Sequence, residues 1–298
     1  MKKYNLETPR FTEDLKAFRT WLQTLNYSPS TVYNSPNYTN EFLYFLEQKK
    51  QFDYSKISTE FMEQYFFYLQ SRSKENQDGS LSVGSLKKHQ SSINYFVRFL
   101  NTNNDSIPPF SFPYFENIQK EITVLSEQEV QLLFANCGKD LIGKRNKAML
   151  ALFYSCGLRK SEGINLNIED LDFRNSLLFV RKSKTHHQRF VPISKGAKQH
   201  LEDYFYNARE YILPSDSIEN SFLITERGTR FSIALAPYLL GRILAKINNE
   251  NLTQKTTLHV LRHSIASHLL KRGMSLENIA LFLGHKSLDS TQIYTHIL

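Results

Sequence analysis

The sequence predicts a mainly α-helical protein with a small antiparallel β-sheet, divided into a helical first domain and a mixed α/β second domain. Three observations carry this expectation. Apolar residues recur at the three-to-four spacing of one buried helix face through most of the chain. Between Leu171 and Pro192 the pattern changes to short β-prone runs around a polar tip. Between Asn101 and Lys120 the segment NTNNDSIPPFSFPYFENIQK breaks the periodicity with three prolines and an Asn/Asp cluster. A chain of 298 residues accommodates two domains of ordinary size.

The first helical pattern is Phe11, Leu15, Phe18, Leu22 and Leu25. The second covers roughly 30–49 and turns Phe42, Phe45 and Leu46 inward; Pro36 is expected to kink or restart it unless it falls in the first turn of a shorter helix. A third runs from a cap at Ser58 through Phe61, Tyr65 and Leu69, and a fourth from Ser82 through Leu86, Ile93, Phe96, Val97 and Leu100. These patterns assign residues 1–108 to the first domain, 109–122 to a linker and 123–298 to the second domain. Helix signals resume at Ser126, where SEQE forms a capping box. Leu177 to Val180 and Arg189 to Ile193 then read as a hairpin, and the remainder is mainly helical.

The composition, 41% hydrophobic and 22% charged, excludes a disordered or low-complexity chain. Lys and Arg exceed Asp and Glu by 8, and residues 139–198 alone hold 13 basic and 5 acidic side chains. Such a patch beside a hairpin fits a surface that tracks phosphates, although a solvated basic face has the same composition. The N-terminus starts basic, but Asn5, Glu7, Glu13 and Asp14 interrupt it before any signal-peptide core. The longest apolar run, Ala148 to Tyr154, is far too short for a membrane helix, so no membrane contact and a cytoplasmic location are expected. Cys137 and Cys156 have neither redox nor zinc spacing and read as buried thiols.

Gly138 to Lys144, GKDLIGK, has the frame of a phosphate-binding loop, but Arg145 replaces the hydroxyl residue that would hold magnesium and a helix precedes it where a strand is needed. His259 and His263 share a helix face, yet Val260 occupies the place of a metalloprotease's general base, so a zinc site is not expected. A distributed set offers more chemistry: Arg159, Lys184, His259, Arg262, His285 and Tyr294. Two guanidiniums can clamp the nonbridging oxygens of a phosphodiester, where charge builds in the transition state. Histidines can hydrogen-bond those oxygens and accept a proton, Lys184 can protonate a leaving alkoxide, and Tyr294 can attack phosphorus.

The segments GLRKSE, HVLRHSIASHLL and LGHKSLDSTQIYTHI, with the Lys184 hairpin, resemble the tyrosine recombinases of the Xer and phage-integrase type. The order Arg, Lys, His-x-x-Arg, His, Tyr spans Arg159 to Tyr294, with nine positions from His285 to Tyr294. The resemblance implies a SAM-like core-binding domain, followed by a mixed α/β catalytic domain. It also implies cleavage of one DNA strand by Tyr294, a 3′-phosphotyrosyl intermediate, strand exchange through a Holliday junction, and no metal, nucleotide or other cofactor. Arg159 and Arg262 would bind the scissile phosphate with help from His285, and His259 would serve as base and then acid. Lys184 would protonate the leaving 5′-oxygen; Lys182 lies in the same hairpin, but counting back from Arg189, Val191 and Pro192 favours Lys184. Glu162, three positions after Arg159, would orient an active-site side chain.

Expected DNA contacts are Lys87, Lys88, Gln90 and Ser91 on the fourth helix and Lys182, His186, His187 and Arg189 in the hairpin. The expected partners are a double-stranded recombination site and further copies of the chain, four on two duplexes, or a partner recombinase. The chain ends four residues after Tyr294, so either other surfaces join the protomers or the chain is shortened. The helical pattern begins near residue 10, leaving little room for a separate arm-binding domain. Integration, inversion and Xer-like dimer resolution all remain open roles. The competing readings are a type IB topoisomerase, which shares phosphotyrosine chemistry, and a non-catalytic DNA-binding regulator.

Overall fold

A computed structural model of the chain describes residues 4–72, 80–103, 107–116, 122–181, 188–285 and 289–292, and its backbone divides into two compact units, Met1–Gln119 and Lys120–Leu298. The first unit is built from α1 (Pro9–Thr24), α2 (Pro29–Gln48), α3 (Thr59–Ser71) and α4 (Val83–Thr102). Proline opens α1, and the hydroxyls of Ser28, Ser58 and Ser82 accept from the first-turn amides of α2, α3 and α4. The apolar stripes meet in one core where Phe11, Phe18, Phe42, Leu46, Tyr65 and Phe96 are fully buried. Phe18 meets Phe96 edge to face at 5.3 Å, and Phe42 meets Tyr65 at 5.0 Å.

Helix α2 corrects one expectation, because it runs unbroken through Pro36. The proline removes the amide that would satisfy the Val32 carbonyl, while the side-chain Nδ2 groups of Asn34 and Asn37 donate to the carbonyls of Ser30 and Tyr33 around it. Ser35, Pro36, Thr39 and Asn40 are buried, so the packed face outweighs the lost bond. The hydroxyls of Thr39 and Ser92 lie 3.0 Å apart, Ser92 donates to the Ser35 carbonyl, and the Tyr65 hydroxyl lies 3.0 Å from His89 Nδ1. These buried contacts fix the rotation of α4 and turn Lys88, Ser91, Asn94 and Arg98 outward. Within the segment expected to be a linker, Phe112 and Phe115 pack on Phe66 of this unit at 5.8 and 5.5 Å.

The second unit opens with α5 (Glu127–Ala135), whose Ser126 and Glu129 form the expected reciprocal cap. Helix α6 (Leu141–Leu150) continues as a π-turn over Ala151–Ser155, and α7 (Lys160–Ile164) follows a short loop. Strands β1 (Leu171–Asp172), β2 (Leu177–Val180) and β3 (Arg189–Pro192) make an antiparallel sheet in the order β1-β2-β3, with Leu178 opposite Val191 and Val180 opposite Arg189. Leu178, Val180 and Val191 face the core, while Phe179 and Phe190 pair on the other face at 5.0 Å. Then come α8 (Lys195–Tyr204), a π-turn into α9 (Glu210–Ile212), α10 (Leu235–Ile247), α11 (Glu250–Lys255), α12 (Leu258–Lys271), α13 (Leu276–Leu283) and α14 (Asp289–Gln292). The core surrounds the wholly buried run Ala148 to Phe153 and includes Leu178, Leu201, Phe222 and Leu261. Cys137 and Cys156 lie within it, and burial pushes both thiols up to about 12. No helix among the described residues is long and apolar enough to cross a membrane.

Candidate active site

Four segments of the second unit meet where Arg159, Glu162, Arg262 and His285 lie. The π-turn after α6 ends in Cys156 and Gly157, which has a positive φ of 58° and sits so close to Phe282 and Leu283 that a Cβ would lie 3.0 Å from each. This approach aims Arg159, at the N-cap of α7, toward the end of α13. Glu162 stands at the third position of α7, where its carboxylate accepts the Arg159 backbone amide at 2.9 Å and the guanidinium Nη1 at 3.0 Å. Arg262, on α12, is wholly buried; its Nη1 donates to the Gly157 carbonyl and lies 3.8 Å from Glu162, and its Nη2 donates to the Leu283 carbonyl at 2.6 Å.

The carbonyls ending α13 collect the arginines. Arg189 Nε donates to Phe282 at 3.0 Å, Arg159 Nη1 and Arg262 Nη2 both donate to Leu283, and Arg159 Nη2 donates to Gly284 at 3.2 Å. A helix C-terminus has unsatisfied carbonyls and carries partial negative charge, so it holds guanidiniums without a second buried anion. Gly284 caps the helix in the left-handed conformation and delivers His285, whose Nδ1 is 2.8 Å from the Thr291 hydroxyl.

The electrostatics follow from this crowding. Burial alone would raise the Glu162 carboxyl, but the hydrogen bonds and charge of Arg189, then those of Arg159, hold it down at about 2. Burial and the charges of Arg262 and Arg159 push His285 down to about 4. His259 is exposed and is lowered by partial desolvation, Arg262 and Arg159. Its ring meets that of His263 edge to face at 4.2 Å, and His263 is pushed to about 4 by burial, His259 and Arg262. The site therefore presents fixed guanidinium charge and neutral imidazoles at pH 7, a combination that can bind an anion and accept a proton from a group beside it.

Of the residues singled out from the sequence, Arg159, Glu162, Arg262 and His285 are brought together, with His259 one helical turn from Arg262 on α12. Lys182, Lys184, His186, His187 and Tyr294 lie outside the described residues. Arg189 departs from its expected role at the DNA surface. Its side chain is 9% exposed and forms a bidentate pair with Glu162 at 3.1 and 3.0 Å, because the strand alternation that sends Phe190 outward sends Arg189 inward. On α4, Lys88 and Ser91 are exposed and Lys87 is half-buried, whereas the Gln90 amide donates to the Pro113 carbonyl at 2.9 Å.

Sequence reasoning missed two features. Arg98 continues the exposed face of α4 seven positions after Ser91, a spacing the helical period carries. Thr291 and the three carbonyls of residues 282–284 have no sequence signal beyond the glycine of LGH. The GKDLIGK frame resolves as a turn into α6, with Asp140 capping the Gly143 amide at 2.8 Å and a Cβ on Gly143 barred by the Gly138 backbone. Among the described residues no three metal-ligating side chains cluster.

The phage integrase family model matches residues 123–298. A tyrosine recombinase XerD from Oceanobacillus iheyensis is 33% identical over 266 residues, covering 87% of this chain and 84% of the relative. A tyrosine recombinase XerC from Lacticaseibacillus casei is 30% identical over 291 residues, covering 95% and 93%. In fold, the chain is similar to a XerH site-specific recombinase bound to difH substrate in a pre-cleavage complex, with a TM-score of 0.72 at 17% identity over 99% of this chain and 95% of that one. It is also similar to the Tn1549 transposon integrase in complex with transposon right end DNA, with a TM-score of 0.70 at 19% identity over 94% of each. With a family match over most of the second unit and relatives spanning nearly the whole chain, the protein belongs to the phage integrase family of tyrosine site-specific recombinases.

Proposed function

We propose that this protein recombines DNA at specific sites by cleaving one strand of a duplex with Tyr294, and that Arg159, Arg262 and His285 hold the scissile phosphate. The observation that carries this reading is the convergence of Arg159 and Arg262 on the Leu283 carbonyl, two residues before His285. Both guanidiniums are anchored by some of their N–H groups, so their planes are fixed before any anion arrives, and a pentacoordinate phosphorane needs that preorganised charge. In the tautomer that carries the ring proton on Nε2, Nδ1 of His285 accepts from the Thr291 hydroxyl 2.8 Å away and Nε2 can donate to a nonbridging oxygen.

His259, kept neutral by partial desolvation and then by the same arginines, takes the phenolic proton of Tyr294 as the phenolate oxygen bonds to phosphorus. The bond to the 5′-oxygen breaks, and Lys184 supplies its proton. The 3′-phosphotyrosyl ester keeps the energy of the broken bond, so the 5′-hydroxyl of a partner strand can reverse the step without nucleotide hydrolysis. Lys88, Ser91 and Arg98 on the outer face of α4 track the duplex, and four protomers on two duplexes, or two with a partner recombinase, carry out both exchanges.

The test is covalent capture on nicked suicide duplexes with randomised arms, without metal or nucleotide, scored on a denaturing gel. A covalent complex is expected with the unmodified protein and none with Tyr294→Phe. Duplexes that bind but never become linked would favour the non-catalytic regulator instead.

A further inference from the structure

Arg189 has no part in the phosphate contacts just described, yet its guanidinium makes as many hydrogen bonds as that of Arg159. Three of its donors are used, two on Glu162 and one on the Phe282 carbonyl. Glu162 is buried and its two oxygens receive four bonds, two from Arg159 and two from Arg189. Gly284 lies so close that a Cβ there would be 2.8 Å from Arg189 Nη1. One side chain thus joins β3, α7, the end of α13 and the turn that carries His285.

We propose that Arg189 is a positioning residue of the recombinase site, which keeps Glu162 from drawing Arg159 and Arg262 away from the scissile phosphate. This inference rests on the recombinase reading. A carboxylate has about four acceptor positions, and a buried one left short of donors recruits the nearest cation. Arg262 Nη1 is already 3.8 Å from Glu162, and Arg159 holds the same carboxylate with one guanidinium nitrogen besides its backbone amide. Without Arg189 both guanidiniums move onto Glu162, and N–H groups that should meet the phosphate are spent inside the protein. The Phe282 carbonyl loses its donor at the same time, which frees the turn leading to His285. The net effect is misplacement of charge by a fraction of an ångström, with the total charge of the clamp itself unchanged.

A double-mutant cycle separates this role from a DNA contact or a fold contact. The unmodified protein, Arg189→Gln, Glu162→Gln and the double variant are compared on one nicked duplex selected by covalent capture, measuring duplex affinity, the rate of covalent-complex formation from the bound state, and thermal unfolding. Arg189→Gln is expected to leave affinity within about twofold and to slow covalent-complex formation about 10- to 100-fold. Once Glu162 is an amide there is no carboxylate to recruit the clamp, so adding Arg189→Gln to Glu162→Gln should slow the step less than about twofold further. Arg189→Lys, which keeps the charge without the two-pronged geometry, should fall between the unmodified protein and Arg189→Gln; should Arg189→Gln fail to fold, the same cycle is run with lysine. Losses that multiply in the double variant, or a loss confined to affinity with a normal bound-state rate, would overturn the proposal. If the unmodified protein forms no complex on any duplex the recombinase reading falls with it, whereas a normal complex lost in Tyr294→Phe with a multiplicative cycle overturns the Arg189 role alone.

Discussion

A single methyl group at Gly284 tests how finely the site is set. The residue has a φ of 67°, where an L-side chain costs about 1–2 kcal/mol, and the added Cβ would meet three atoms of Arg189 within 3.0 Å. Arg189 can yield only by loosening its pair with Glu162. Gly284→Ala is therefore expected to lower the urea midpoint modestly and to slow covalent-complex formation by more than it weakens DNA binding; an unchanged rate would show that the close approach is unimportant. At this scale the sequence was partly legible. Arg159, Glu162, His259, Arg262 and His285 stand in short motifs whose spacing is itself the signal, and the structure gathers them. Arg189 was misread because a cation at the base of a polar hairpin looks solvent-facing until strand alternation and a buried carboxylate turn it inward. Thr291 has no local pattern, since its partner His285 is six positions away.

Elements were legible where cap and periodicity agree, and obscure where packing overrides local preference. Ser58, Ser82 and Ser126 start α3, α4 and α5 as their sequences imply. Pro36 argues locally against a continuous α2, yet the buried face on both sides of it holds the helix together. Strand β1 is two residues long and exists only through its pairing with β2. The π-turn over Ala151–Ser155 has no sequence mark, because ALFYS is as helical as the residues before it. Its extra residue nevertheless sets the angle at which the chain leaves toward Arg159, and it is braced by α7. A Cβ on Gly163 of α7 would come within 2.6 Å of the buried Phe153 ring. Gly163→Ala should cost about 1–3 kcal/mol as overpacking, seen as a lowered thermal midpoint, with a matching fall in covalent-complex formation; a stable, fully active variant would mean that the ring moves freely and that the brace is dispensable.

On the scale of the whole molecule, each unit has its own core and each holds at least one histidine that must be neutral to fit. In the first unit His89 is wedged between Tyr65 and Tyr38, and burial followed by the charge of Arg72 drives it from 6.5 to about 3. In the second, His263 and His285 are driven to about 4. For each, the unfolded chain binds a proton more readily than the folded one. Their contribution is therefore complete above pH 6.5 and is lost as the pH falls toward 4 in the second unit and toward 3 in the first, at about 1.4 kcal/mol per unit of depression. Glu162, held at about 2 against an ordinary 4.5, adds a further loss only below pH 4.5. Both units should weaken together from pH 7.5 to 5, well before any carboxylate of the site titrates. Urea unfolding at those two pH values, followed by the fluorescence of Trp21 in the first unit, is expected to show a smaller loss for His89→Gln than for the unmodified chain. Equal losses in the two proteins would show that His89 titrates normally and that the buried Tyr65–His89 contact does not depend on a neutral ring.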